Sequence, residues 1–181
     1  MAAIIDVLFS EKEIDVRIRE LAKQIDADYA GREVTLLCTL KGACFFACEL
    51  AKRLVVPVFM EYIQVASYEG MSSTGTITMK LDVPAEVIAG KHVIIIEDVI
   101  DTGRTLSRIK EMMLARNPAT LAVCSLLGKR GRRAVPLMGE LHASDIGVHY
   151  IGFTIDNEFV VGYGLDWNQK YRNLPCIGIV R

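Results

Sequence analysis

The stretch that most constrains this chain is Val93-Ile94-Ile95-Ile96-Glu97-Asp98-Val99-Ile100-Asp101-Thr102-Gly103-Arg104-Thr105-Leu106. Its first four residues are β-branched and apolar with no polar alternation, the pattern of a strand buried on both faces, as in a parallel sheet. Two adjacent carboxylates, Glu97 and Asp98, close that run, and a third, Asp101, precedes a Thr-Gly-x-Thr turn that opens a helical pattern. In open α/β sheets, ligands bind in the crevice beyond the carboxyl end of such a strand. Thr102, Gly103 and Thr105 bring backbone N–H groups and hydroxyls to a helix N-terminus, a site suited to phosphate. Carboxylates beside a bare phosphate would repel it. The arrangement makes sense if they accept hydrogen bonds from sugar hydroxyls, or hold a Mg²⁺ that offsets the charge. The ligand implied is a phosphorylated sugar, with metal. A plain strand, polar turn and helix cap is the alternative, and the density of acids and threonines between Glu97 and Thr105 goes against it. Neither the Gly-x-x-x-x-Gly-Lys loop nor the Gly-x-Gly-x-x-Gly dinucleotide turn is present.

The flanking pattern predicts a doubly wound, mainly parallel α/β sheet. Residues 34–38, 58–65 and 121–127 read as further strands. A helix over 42–54 lies among them, and Leu106, Ile109 and Met113 mark another, ended by Asn117-Pro118. Ser10-Glu11-Lys12-Glu13 is a capping box ahead of Ile14, Ile18, Leu21, Ala22 and Ile25 at helical spacing. Ile77, Met79 and Leu81 alternate with polar residues as in a half-exposed strand, and Val135-Pro136, 150–153, Val160-Val161 and 177–180 are short strand candidates. One domain over residues 1–181 is expected, with the N-terminal helix and the late short strands forming a small cap, or hood, over the ligand edge.

A chain of 181 residues can bury a sizeable core without disulfides. The net charge of −1 gives no global drive toward nucleic acid or an anionic membrane. The hydrophobic fraction, 51%, is scattered in runs far shorter than the ~18 residues a spanning helix needs, and part of it is available to a subunit interface. Met1 to Asp6 has no basic start and no long apolar stretch, so no signal peptide is expected. Five cysteines, an odd number at no zinc spacing, point to reduced thiols and a cytoplasmic setting. His92, His142 and His149 are scattered and match no ligand or nucleophile pattern.

The central stretch resembles the phosphoribosyl-pyrophosphate (PRPP) loop of type I phosphoribosyltransferases, and its Glu-Asp pair resembles the hypoxanthine-guanine branch. Four separate matches fall in the family's order over roughly residues 34–172. Leu40-Lys41-Gly42 resembles the pyrophosphate loop, in which the Leu-Lys peptide bond is often cis; alone, the triplet reads as an ordinary strand-to-helix turn. Residues 67–75, starting Ser67-Tyr68, resemble the flexible loop of purine members. A lid there would exclude water from an oxocarbenium-like state; alone, the stretch is a hairpin connection. Lys129 stands where the family has a lysine that donates to the purine 6-oxygen. An ammonium only donates, which favours a 6-oxo over a 6-amino purine. Phe159-Val160-Val161-Gly162-Tyr163-Gly164-Leu165-Asp166 matches the segment whose aromatic stacks on the base and whose next residue reads the base edge through its backbone.

The resemblance implies a role for each position. Glu97 and Asp98 hold the ribose hydroxyls, directly or through Mg²⁺, and Asp166 joins them as a metal ligand. Thr102, Gly103, Arg104 and Thr105 hold the 5′-phosphate, while Lys41, Gly42 and Arg172 contact pyrophosphate. Ser67 and Tyr68 belong to the lid. Lys129, Phe159 and Val160 bind the purine, and Asp101 accepts or shares the proton at N7. The function expected is purine salvage: PRPP plus hypoxanthine, and guanine, giving IMP or GMP and pyrophosphate with Mg²⁺, in a homodimer or homotetramer. The alternatives are a PRPP-fold regulator that binds RNA, as attenuators do, and a xanthine- or guanine-preferring relative. Lys129-Arg130-Gly131-Arg132-Arg133 could serve RNA, but it lacks interleaved aromatics and reads as a solvated loop.

Overall fold

The computed structural model describes residues 5–67, 77–129 and 149–181. Its centre is a six-stranded sheet of β2 (Val34–Thr39), β3 (Val58–Ser67), β4 (Ile77–Leu81), β5 (His92–Ile100), β6 (Thr120–Lys129) and β7 (His149–Ile155), in the order β4-β3-β2-β5-β6-β7. Only β4 runs antiparallel to its neighbour. The uninterrupted apolar runs explain the parallel core, since β2 is buried at all six positions and Val93 to Ile96 are fully buried. The doubly wound, mainly parallel sheet expected from the pattern is the fold observed.

Side chains alternate between two cores. Leu36, Cys38, Ile94 and Ile96 face one, with helices α1 (Glu11–Asp28) and α2 (Cys44–Ala51); Leu37, Val93 and Ile95 face the other, with α3 (Arg104–Leu114). The capping box forms as expected: the Ser10 backbone N–H donates to Glu13 Oε2 at 2.9 Å, and the Glu13 N–H donates to Ser10 Oγ at 3.4 Å. Ile14, Ile18, Leu21, Ala22 and Ile25 then form one buried stripe. That stripe sits in the same core as β2, β5 and β6, so α1 is part of the main layer rather than of the hood. Arg17 fastens it further, with Nε and a terminal nitrogen donating to the carbonyls of Gly152 and Ile151 at 2.7 and 2.8 Å.

The hood is a three-stranded antiparallel sheet, β1-β9-β8, of β1 (Ile5–Phe9), β8 (Val160–Val161) and β9 (Ile177–Val180). β8 and β9 match expectation; β1 was not foreseen. It is short, half-buried and paired to the far end of the chain, so its pattern carries little local signal. Val160, Tyr163, Leu165 and Ile177 pack into the core shared with α1 and α2, which joins hood to sheet. The strand expected at Val135-Pro136 lies outside the described residues. Among the described residues no helix is long and apolar enough to cross a membrane.

Candidate active site

The carboxyl ends of β5, β6 and β7 lie side by side, with Ile100 opposite Gly128 and Lys129 opposite Ile155. Residues just beyond these ends are therefore brought together from distant parts of the chain. Strand geometry splits the Glu97-Asp98 pair between the two faces of the sheet. Glu97 follows the parity of Ile95 and faces the α3 side; Asp98 follows Ile96 and faces the start of α2.

On the α3 side, a cavity of about 210 Å³ is lined by Glu97, Asp101, Thr102, Gly103 and Thr105 among others. Gly103 caps α3 in the left-handed conformation, φ 77°, which a residue with a Cβ rarely adopts. The first helical hydrogen bond is Ser107 N–H to the Gly103 carbonyl, 2.8 Å, so the N–H groups of Arg104, Thr105 and Leu106 have no helical acceptor. A concave group of amides at the positive end of a helix dipole is a seat for phosphate. Glu97 enters this cavity with its Oε2 held by the Thr39 hydroxyl at 2.7 Å. Burial, and then the Asp98 charge, push the Glu97 carboxyl above its ordinary range, while Thr39 pulls it back.

On the α2 side, Asp98 is packed against the loop that starts α2. The Leu40-Lys41 peptide is cis, and a Cβ on Gly42 would fall 1.5 Å from Asp98 Oδ2, so any larger residue there must displace the Asp98 side chain. Gly164, at φ 101°, is equally confined: its Cβ would lie 2.0 Å from the Gly42 carbonyl oxygen. The segment after β8 thereby docks onto the Lys41-Gly42 loop. It carries Asp166, which accepts from the Gln169 N–H at 2.7 Å and pairs with Arg172 at 2.5 Å. Arg172 also donates to the Gly164 carbonyl at 2.6 Å, and Lys41 Nζ reaches Gln169 Oε1 at 3.4 Å. Burial raises the Asp98 carboxyl; the Val99 amide and the Arg172 guanidinium act against it, and the Asp166 charge adds to the rise.

A hard dication fits the oxygen donors of Asp98 and Asp166, whose mutual repulsion it would relieve. The three carboxylates expected to share Mg²⁺ do not form one cage: among the described residues no group of three such ligands is assembled, and Glu97 is turned to the other face toward Thr39. Two protein carboxylates completed by substrate oxygens and water is an ordinary arrangement for Mg²⁺.

The third group lies beyond β5 and β6. Lys129 Nζ is 3.8 Å from Asp101 Oδ2, with the lysine almost buried and the aspartate half exposed. Phe159 follows four residues after the end of β7 and leaves 56% of its surface open, while Val160 beside it is buried and paired to Ile179. Of the expected lid, only Ser67 is described, at the end of β3 opposite Ile77; Tyr68 and the rest lie outside the described residues, as do Arg130 to Arg133.

Thr39 and Gln169 were not anticipated. Thr39 has a faint signal, a hydroxyl closing a mostly apolar strand. Gln169 has none, because its contact depends on a turn in which Asn168, Gln169 and Tyr171 all take positive φ. A larger cavity of about 770 Å³ between α1, α2 and residues 173–175 contains neither the phosphate turn nor Glu97, Asp98 or Asp101.

Residues 6–167 match the phosphoribosyl transferase domain family. The chain is 40% identical over 183 residues to the hypoxanthine phosphoribosyltransferase of Salmonella typhimurium, covering 99% of this chain and 97% of that protein. It is 39% identical over 176 residues to the hypoxanthine-guanine-xanthine phosphoribosyltransferase of Tritrichomonas foetus, covering 97% and 91%. Its fold superposes with a TM-score of 0.85 on the hypoxanthine phosphoribosyltransferase of Trypanosoma cruzi in complex with the product IMP, at 40% identity and 99% and 95% coverage.

Proposed function

The chain belongs to the phosphoribosyltransferase family, in its hypoxanthine(-guanine) branch, and from that premise we propose how its residues divide the reaction. The enzyme transfers the 5-phosphoribosyl group of PRPP to hypoxanthine in purine salvage, giving IMP and pyrophosphate. The 5′-phosphate sits on the amides of Arg104, Thr105 and Leu106 with the Thr102 and Thr105 hydroxyls. Glu97 and Asp98 hold the ribose hydroxyls, one from each face of β5. Lys41, the Gly42 backbone and Arg172 receive the pyrophosphate. Asp98 and Asp166 would hold Mg²⁺, which would supply positive charge for that leaving group.

The observation that carries the base assignment is the placing of Lys129 beside Asp101. N7 and O6 of a 6-oxopurine lie next to each other on one edge. An ammonium and a carboxylate 3.8 Å apart match O6, which only accepts, and a protonated N7, which donates. As the bond from the anomeric carbon to pyrophosphate breaks, N9 bonds to that carbon and the N7 proton passes to Asp101. An ordinary aspartate is a weak base, so positioning and charge stabilisation account for much of the rate. Phe159 offers its open ring to the base and Val160 its backbone. Ser67 and Tyr68 begin the lid that keeps water from the anomeric carbon.

The five free cysteines support a cytoplasmic setting, and the exposed Phe45, Val55 and Phe59 supply apolar surface for a homo-oligomeric contact. Guanine joins hypoxanthine as a substrate in this reading. The test is a spectrophotometric assay with PRPP and Mg²⁺ over hypoxanthine, guanine, xanthine, adenine and uracil. Turnover of the 6-oxopurines is expected; activity with uracil alone, or with none, overturns the assignment.

A further inference from the structure

We propose that Thr39 is a positioning residue for PRPP, its hydroxyl holding the Glu97 carboxylate at the mouth of the phosphate cavity. The inference rests on the reading of Glu97 as a ribose-hydroxyl acceptor. β2 is apolar along most of its length, yet it ends in a threonine only 7% exposed, one residue beyond the Cys38–Ile96 pair and so level with Glu97 of β5. Thr39 and Glu97 lie on the same face of neighbouring parallel strands, since Leu37 and Ile95, two residues before each, share one core. The Thr39 hydroxyl has two acceptors in range, Glu97 Oε2 at 2.7 Å and the Ile96 carbonyl at 2.9 Å. A hydroxyl has one proton to donate at a time, and Glu97 is the stronger of the two acceptors when it is ionised.

Glutamate has three side-chain torsions, and Glu97 lines a cavity of about 210 Å³. A bond to one carboxylate oxygen removes most of that freedom before substrate arrives and directs the remaining lone pairs. Such pre-ordering lowers the cost of binding rather than the barrier to chemistry. Because Glu97 grips ribose in both the bound substrate and the transition state, its loosening raises KM with little effect on kcat. That split separates positioning from a purely structural role, which would lower the amount of folded enzyme and leave KM unchanged.

Thr39→Val keeps the branched shape and removes the hydroxyl; Thr39→Ser keeps the hydroxyl and removes a methyl. KM for PRPP, KM for hypoxanthine, kcat and the thermal midpoint are measured for both, for Glu97→Gln and for the Thr39→Val/Glu97→Gln double variant. The expected result is a rise of about tenfold in KM for PRPP with Thr39→Val, equivalent to ~1.4 kcal/mol, with kcat and KM for hypoxanthine within about twofold. Thr39→Ser stays close to the unmodified enzyme. The double variant is no worse than Glu97→Gln alone, because the two groups act as one. An unchanged KM for PRPP in Thr39→Val beside a raised one in Glu97→Gln overturns the proposal alone. Additive losses in the double variant, or a Thr39→Ser as impaired as Thr39→Val, also overturn it. An unchanged KM for PRPP in Glu97→Gln removes Glu97 from ribose binding, and the proposal with it.

Discussion

Lys129 and Asp101 face each other at 3.8 Å although one ends β6 and the other follows β5, strands whose carboxyl ends are adjacent in the parallel sheet. In water such a pair contributes little, but here one partner is nearly buried and both have ligand edges to serve. In the proposed base site their separation would select the heterocycle bound.

Removing the ammonium should therefore weaken binding of the base and leave the sugar phosphate alone. Lys129→Met keeps an unbranched apolar stem and deletes the donor. A hydrogen bond to a charged group is worth about 1.5–3 kcal/mol, so kcat/KM for hypoxanthine should fall roughly 10- to 100-fold. KM for PRPP should stay within about twofold, since PRPP does not contact this side chain. Steady-state kinetics with each substrate varied checks this, and a loss shared equally between the two substrates would remove Lys129 from the base site.

Asp101→Asn tests the other half of the pair. The amide keeps the shape and can still accept a hydrogen bond, but it cannot take a proton from N7. Loss of general-base assistance typically costs at least about 100-fold in turnover. KM for PRPP should change far less. Single-turnover kinetics isolates the chemical step, and unchanged turnover would remove Asp101 from the mechanism.

Much of this site was legible in the sequence because its parts are local. Val93 to Leu106 contains strand, acids and phosphate turn in one stretch, so burial pattern and chemistry could be read together. What was not legible is what the sheet brings together. Glu97 and Asp98 looked like a joint metal and ribose pair, yet successive strand residues point to opposite faces, and each finds different partners. Thr39 belongs to the site only because β2 and β5 are neighbours. The amphipathic stripe of the first helix tells that it packs, not against what. β1 was missed for the same reason, its partner lying at the opposite end of the chain.

Gly42 beneath Asp98, and Gly164 beneath Gly42, form a tight geometric constraint in the site. Gly42→Ala would place a methyl group 1.5 Å from Asp98 Oδ2, and Gly164→Ala would place one 2.0 Å from the Gly42 carbonyl. Gly164 also holds φ 101°, which costs about 1–3 kcal/mol for a residue with a Cβ. Either substitution should shift the Lys41-Gly42 loop relative to Asp98. The expected outcome is a lower thermal midpoint together with a severalfold rise in KM for PRPP. Differential scanning fluorimetry and kinetics report both, and wild-type KM values in Gly42→Ala would show that Asp98 has no part in binding.

The buried carboxylates should also make the ligand-free enzyme less stable at neutral pH than a variant lacking one of them. Burial raises the Glu97 carboxyl above its unfolded value, so the folded state binds that proton more tightly than the unfolded chain. The stability contributed by this group is complete below the unfolded value and is lost as pH rises through the folded one. Glu97→Gln is neutral throughout and suffers no such loss. Its advantage should be small at pH 5 and reach about 0.5–2 kcal/mol at pH 8, the range common for stabilising substitutions. Saturating PRPP with Mg²⁺ should reverse the order, because a ligand at 100 times its Kd stabilises by ~2.7 kcal/mol and Glu97→Gln binds PRPP more weakly. Thermal denaturation at pH 5 and pH 8, with and without PRPP and Mg²⁺, tests both signs. If Glu97→Gln is less stable at pH 8 without ligand, the Glu97 carboxylate is a net stabiliser of the fold and this linkage is wrong.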